Sequence, residues 1–245
     1  MKRDVVLITG VSSGVGLSLA RHLADRYMVV GIARKLDVAR EALADVDGLA
    51  LYAADLTDAT ALDGCLEEII GQHGIPRSVI NNAGVNVPGR IEELDHDDIT
   101  TSTQVNCLAP LRIMQRVLPA MADEGFGRIV NVTSGAPLNC FAGYAAYSAS
   151  KAALNAVTIT AAREYQEGNV RINLMSPGPV RSNMAPDATM DPSACHPTVD
   201  YLLDPDEQTP TGRFYWLGHE IPLFPDLEGI RWLEGTAPDR FRRVV

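Results

Sequence analysis

Short runs of aliphatic and β-branched residues alternate along this chain with longer stretches whose apolar positions recur every three or four residues. The short runs, at 5–8, 28–32, 49–53, 78–80, 128–132, 171–175 and 214–217, are bounded by Gly, Asp, Asn or Ser. Strands buried on both faces have this pattern. Helix-length stretches lie between them at 14–26, 36–45, 58–73, 95–123 and 144–167. Such alternation predicts an α/β fold, a doubly wound parallel sheet of about seven strands with helices on both faces. No repeat or linker interrupts it before residue 178, so a single domain is expected over 1–245. Two regions leave the rhythm. Residues 178–212 are rich in Pro, Asp and Thr and hold one helix-length stretch, 192–203, which Pro197 is expected to interrupt. Residues 218–245 place Phe224, Trp232 and Phe241 among prolines, and both regions predict irregular structure packed on the sheet.

Charge narrows the partners. The chain carries 21 Lys+Arg against 31 Asp+Glu, a formal net charge of −10. That balance argues against nucleic-acid binding and against a polybasic grip on a membrane. A chain of 245 residues can bury a core that needs no disulfide staple. Cys65, Cys107, Cys140 and Cys195 are far apart and form no CxxC pair, so neither a zinc site nor a disulfide framework is expected. The run at 5–8 is too short for a signal peptide, and no stretch approaches the roughly 18 apolar residues of a membrane span. These features predict a reduced, cytoplasmic protein. The histidines at 22, 73, 96, 196 and 219 lack metal-ligand spacing, so no metal is expected; His196, beside Cys195, reads as structural.

The densest chemistry follows the first strand. Thr9-Gly10-Val11-Ser12-Ser13-Gly14-Val15-Gly16 leads from strand to helix, where glycines permit a tight turn and close approach of backbone to a pyrophosphate. Tyr147 and Lys151, four residues apart, share one helix face, and an ammonium there favours the phenolate and is expected to lower the phenol pKa. Ser134 follows the 128–132 strand at the sheet edge where open α/β sheets bind ligands, and its hydroxyl suits a substrate oxygen that develops charge.

Together with Asn81-Asn82-Ala83-Gly84 and Pro177-Gly178, these motifs resemble the short-chain dehydrogenase/reductase family in order and spacing, over about residues 4–217. The resemblance implies a Rossmann-like fold that binds NAD or NADP and interconverts carbonyls and alcohols. It implies that Tyr147 is the acid/base, that Lys151 orients the cofactor ribose and lowers the Tyr pKa, and that Ser134 binds the substrate oxygen. Asn106 matches the Asn that completes a proton relay with a bound water. Gly10, Ser12, Ser13, Gly14, Val15 and Gly16 then face the phosphates, while Asn82, Ala83 and Gly84 lie beside the ribose and nicotinamide. Asp55 and Leu56 flank the adenine, although a helix cap explains Asp55 as well. Pro177, Gly178, Val180 and Ser182 lie over the carboxamide.

The end of the second strand, Ala33-Arg34-Lys35, lacks the acidic residue that selects NAD. NADP(H) is therefore expected, with Arg34 on the 2′-phosphate; Asp37, close by, keeps NAD(H) as the alternative. Asn139, Phe141, Tyr144 and Met184, with Pro179 and residues 85–89, are expected on the substrate side. The set is apolar to mildly polar and suits a neutral small-molecule carbonyl or secondary alcohol. A sugar- or polyol-like alcohol and a non-catalytic redox sensor are the alternatives. The Ala-rich stretch at 144–167 is apolar on most faces, and with 95–123 it predicts a homodimer or homotetramer. The segment after Pro177-Gly178 is short for a substrate lid, so the 218–245 tail either covers the substrate mouth or buries an apolar patch.

Overall fold

A computed structural model describes residues 3–205, 209–223, 225, 228, 231 and 238–240. Phe224, Trp232 and Phe241, on which the expectation for the tail rests, lie outside the described residues. The elements run β1 (Val5–Thr9), α1 (Gly14–Leu23), β2 (Met28–Ala33), α2 (Leu36–Ala42), β3 (Leu49–Ala53), α3 (Ala59–His73) and β4 (Ser78–Asn81). They continue with α4 (His96–Thr103), α5 (Ala109–Asp123), β5 (Gly127–Val132), α6 (Ala136–Asn139) and α7 (Ala145–Glu164). The chain then forms β6 (Val170–Ser176), α8 (His196–Leu203), β7 (Phe214–Trp216) and β8 (His219–Ile221).

All eight strands form one sheet in the order β3-β2-β1-β4-β5-β6-β7-β8. Every pairing is parallel except β7 with β8. Side chains alternate across the sheet as period-two geometry requires. Along β1, Val5 and Leu7 join the layer of Leu62, Leu66, Ile113 and Val117 from α3 and α5. Val6 and Ile8 join Leu19 and Leu23 of α1 and Val199 and Leu202 of α8 on the other face. The sheet is thus α/β and covered on both sides, as the apolar runs predict.

Four local expectations are corrected. An eighth strand follows β7, because Leu217 and Gly218 both adopt positive φ, at 46° and 79°. A two-residue hairpin of the primed type needs that geometry, and a Leu-Gly pair does not advertise it. The stretch 95–123 is not one helix: a π-helical turn, Gln104–Leu108, separates α4 from α5. The Ala109 N–H reaches back five residues to the Gln104 carbonyl, and Pro110 supplies no N–H to the Asn106 carbonyl four residues before it. A short helix, α6, forms after Ser134, in a stretch that the apolar pattern assigns to no helix. Pro197 does not interrupt 192–203; it sits in the first turn of α8, after a 3₁₀ turn at Pro192–Cys195, where a missing N–H costs nothing.

Candidate active site

The strand order reverses at β1, whose neighbours are β2 and β4, and a crevice opens beyond the carboxyl ends of these strands. Gly10 makes the turn out of β1 with φ 78° and donates its N–H to the Ile32 carbonyl at 2.8 Å. A Cβ on Gly10 would lie 2.9 Å from Ala83 Cα, so only glycine fits between β1 and β4. Thr9 locks the second wall, its hydroxyl accepting the backbone N–H groups of Asn82 and Ala83, both at 3.0 Å. Asn82 Nδ2 donates to the Thr9 carbonyl at 2.9 Å, clamping the turn from the other side. Ser13, extended at the start of α1, makes no side-chain cap and lines the crevice at the helix N-terminus.

The crevice is a cavity of about 640 Å³. One end is walled by Gly10, Ser12, Ser13, Gly14 and Val15, by Arg34 and Lys35, and by Asp55 and Leu56. Arg34 and Lys35 are exposed, at the mouth. The Asp55 carboxylate accepts from the Thr57 N–H at 2.9 Å and hydroxyl at 2.7 Å. Those bonds, with the nearby Arg34 charge, hold its pKa below the usual carboxylate value. Asn82, Ala83 and Gly84 also line the cavity, as do Pro177, Gly178, Val180 and Ser182. Residues 178–191 fold back over the turn, so that a Cβ on Gly14 would stand 3.1 Å from Ser182 Cβ.

The other end holds Ser134, Tyr144, Tyr147, Lys151 and Met184. Ser134 Oγ accepts from the Ala136 N–H at 3.1 Å, and its hydroxyl stands close enough to Tyr147 to favour the phenolate. Burial is the larger influence in the protein alone, where the Tyr147 pKa is raised; the expected lowering counts on the charge of an oxidised nicotinamide beside Lys151 as well. Lys151 is buried and donates to the Val132 carbonyl at 2.7 Å; burial brings its pKa down to about 8. Its Nζ lies 5.9 Å from the Tyr147 ring centroid. Asn106 is fully buried in the π-helical turn. Its Oδ1 accepts from the Val85 N–H at 2.9 Å, and its Nδ2 donates to the Val85 carbonyl at 2.8 Å and Ser150 Oγ at 2.9 Å.

The sequence model described as short chain dehydrogenase matches residues 4–192. The chain belongs to the short chain dehydrogenase family. Over 184 residues it is 31% identical to an NADPH-dependent pterin aldehyde reductase of Arabidopsis thaliana, covering 73% of this chain and 76% of the relative. It is 32% identical over 201 residues, 78% of this chain, to an uncharacterized oxidoreductase of Mycobacterium tuberculosis, of whose length the match spans 59%. A solved short chain dehydrogenase/reductase family protein superposes with a TM-score of 0.81 at 28% identity, covering 88% of this chain and 95% of that one.

The fold of short chain dehydrogenases binds nicotinamide dinucleotides, and the residues present suit one. Gly10, Ser12, Ser13 and Gly14 line the cavity at the N-terminus of α1, where a phosphate can meet backbone N–H groups. Cationic side chains stand at one end of the cavity and a buried ammonium at the other. Two of the residues expected to touch a cofactor or to react do not line the cavity. Gly16 packs instead: an added Cβ would overlap the Gly10 carbonyl and come 2.5 Å from Asn82 Nδ2, so this glycine seats α1 against the turn. Asn106 holds the Val85 backbone from behind, which leaves its side chain a positioning part and only its backbone carbonyl for a relay.

On the substrate side, Tyr144 and Met184 line the cavity, while Asn139 and Phe141 do not. The α6 helix turns Asn139 Nδ2 back onto the Gly135 carbonyl at 2.7 Å. Phe141 is exposed and meets only the edge of Tyr144, with centroids 6.4 Å apart. Several supports, Asn81 of the Asn-Asn-Ala-Gly motif apart, were not singled out from the sequence. Thr133 Oγ1 donates to Asn155 Oδ1 at 2.6 Å, fixing the strand end before Ser134 to α7. Asn81 Nδ2 donates to Asn131 Oδ1 at 2.7 Å, and Asn131 Nδ2 to Thr158 Oγ1 at 2.8 Å, tying β4, β5 and α7 together. Their common signal is a polar residue inside an apolar run. Among the described residues no cluster of His, Cys, Asp and Glu suits a metal, and no helix is long and apolar enough to cross a membrane.

Proposed function

We propose that this short chain dehydrogenase transfers hydride between NADP(H) and a neutral small-molecule ketone, aldehyde or secondary alcohol. The observation that carries the reading is that Ser134 and Tyr147, with a buried Lys151 one helical turn beyond Tyr147, line the same cavity as the glycine turn. The nicotinamide supplies or takes up the hydride when bound. Ser134 and Tyr147 hold the substrate oxygen, and Tyr147 Oη gives its proton to that oxygen in reduction and removes it in oxidation. Burial raises the Tyr147 pKa, so the phenol holds the proton that reduction of a carbonyl requires. Lys151, anchored on the Val132 carbonyl and 5.9 Å from the Tyr147 ring centroid, would hold a bound cofactor's ribose and brings positive charge near the phenol.

NADP(H) is preferred on the strength of Arg34 and Lys35 at the mouth of the adenosine end, with Ser12 and Ser13 beside them. The pterin aldehyde reductase relative, NADPH-dependent by name, is consistent with that choice. Tyr144 and Met184 make the substrate side apolar, in keeping with an uncharged carbonyl. A homodimer or homotetramer in the cytoplasm completes the reading, through the α4–α5 and α7 faces, where Ile99 and Leu108 are exposed. The test is a screen of ketones, aldehydes and secondary alcohols by absorbance of the reduced nicotinamide, repeated with Ser134→Ala. Turnover of at least one neutral carbonyl, lost in the variant, supports the reading. Equal turnover in the variant overturns the role of Ser134.

A further inference from the structure

Outside the cavity, the face of α1 turned toward α8 carries a cluster that the reaction does not use. The His22 and His196 rings stack with centroids 4.0 Å apart and planes 19° apart. His196 Nε2 lies 2.8 Å from Ser18 Oγ, and His22 Nε2 lies 2.9 Å from an Asp200 carboxylate oxygen. Arg26 pairs with the same carboxylate. This cluster is where the covering segment 178–191 ends, because Asp191 caps the 3₁₀ turn that leads into His196. At its other end the segment leaves β6 and lays Ser182 against Gly14, the first residue of α1. One helix therefore carries both the phosphate-facing turn and the fastening of the segment that covers it.

We propose that His22 and His196 are positioning residues that fasten segment 178–191 to α1 and loosen it, with weaker cofactor binding, when the His196 ring becomes charged in acid. The charges around the pair support this. From α1 come Arg26 and Arg21, the latter turned away onto Asp45 at 2.8 Å. From the turn before α8 comes Asp191, whose carboxylate already accepts from the Ser193 N–H and hydroxyl and stands 3.9 Å from Arg181. Asp200 is the contribution of α8. Behind α8, β5 contributes Arg128, which donates to the Asp204 carbonyl beyond the helix end. A single carboxylate, Asp200, directly meets the pair, and it is shared between His22 and Arg26. A charged His196 ring stacked on His22 would face Arg26 across a carboxylate that is already shared, with Asp191 committed to the Ser193 N–H and hydroxyl.

Burial and then His22 hold His196 below its ordinary value of 6.5, so the folded arrangement favours the neutral ring. The fastening is then complete above that value and is lost as pH falls through it toward the lowered one.

The cofactor arm of the test rests on the nucleotide reading above; the exchange arm does not. Amide hydrogen exchange of 178–191 in the intact chain, corrected for intrinsic rates, is compared at about pH 7.5 and about pH 5.5. NADP⁺ binding is measured by calorimetry at the same two values. The wild-type segment should lose protection in acid, and NADP⁺ should bind about fivefold or more weakly, the scale of ordinary coupling between sites. His196→Gln, which keeps a polar group toward Ser18, should lose both responses beyond what the ligand's own phosphate contributes. His22→Gln, which removes the stacking partner, should do the same. The same acid response in wild type and both variants would overturn the proposal. An exchange response that behaves as predicted, without any NADP⁺ binding, would uphold the fastening and overturn the nucleotide reading instead.

Discussion

Lys151 is the residue whose removal separates function from stability. Its ammonium is completely buried, with one hydrogen bond to the Val132 carbonyl at 2.7 Å. Burial lowers its pKa from 10.5 to about 8, and the charged form near neutral pH is held in the fold at a cost. At about 1.4 kcal/mol per pH unit, that gap amounts to about 3 kcal/mol against folding with the lysine protonated. Lys151→Met keeps the length of the side chain and removes the charge. It forfeits one hydrogen bond and leaves the Val132 carbonyl without that donor, about 1–2 kcal/mol in the other direction. The variant should therefore be more stable than wild type by about 1–2 kcal/mol at pH 7, measured as a higher urea midpoint without cofactor. The sign also fixes the pH profile. The folded state binds fewer protons here than the unfolded chain between 8 and 10.5, so wild type regains stability on alkalinisation over that window. The advantage of the variant should shrink over the same range, and the difference between the two proteins isolates Lys151 from the other lysines. A variant less stable than wild type at pH 7, or a difference that does not move with pH, would refute the reasoning.

Two further substitutions test separate parts of the site. Gly16→Ala should lower stability by about 2–3 kcal/mol in urea denaturation, because the new methyl meets the Gly10 carbonyl and Asn82; an unchanged midpoint would mean that α1 does not depend on this close approach. Arg34→Ser should reduce kcat/KM with NADPH by about ten- to a hundredfold, the range for one charge-assisted hydrogen bond, and leave NADH little affected. Equal losses with both cofactors would remove Arg34 from the 2′-phosphate.

What was legible in the sequence is what depends on local spacing. Gly10, Gly14, Tyr147 and Lys151 sit in short motifs whose chemistry needs those residue types a fixed number of positions apart, and the structure brings them into one cavity with Ser134. The alternation of apolar runs likewise carried the parallel sheet, because strands buried on both faces have few other compositions. Features set by missing donors or long-range contact were not legible. The π-helical turn at Asn106 depends on Pro110, a residue that also reads as an ordinary first-turn proline. Asn139 and Phe141 follow Ser134 closely, yet α6 carries one back onto its own helix and leaves the other on the surface. His22 and His196 meet only because α1 and α8 cover the same face of the sheet, and no spacing over such a separation announces it. The raised pKa of Tyr147 belongs to the same class, since burial decides it and a four-residue spacing does not.

The central claim is that Tyr147 moves the proton in a nicotinamide-dependent reaction, and Tyr147→Phe tests it most directly. The phenyl ring keeps the packing of a side chain that is 9% exposed while removing the hydroxyl that Ser134 meets. NADPH affinity, read from the fluorescence of the reduced nicotinamide, should stay within a few-fold of wild type. Turnover of any substrate found in the carbonyl screen should fall by about a hundredfold or more, the scale of general acid–base catalysis. Undiminished turnover with intact cofactor binding would contradict the account.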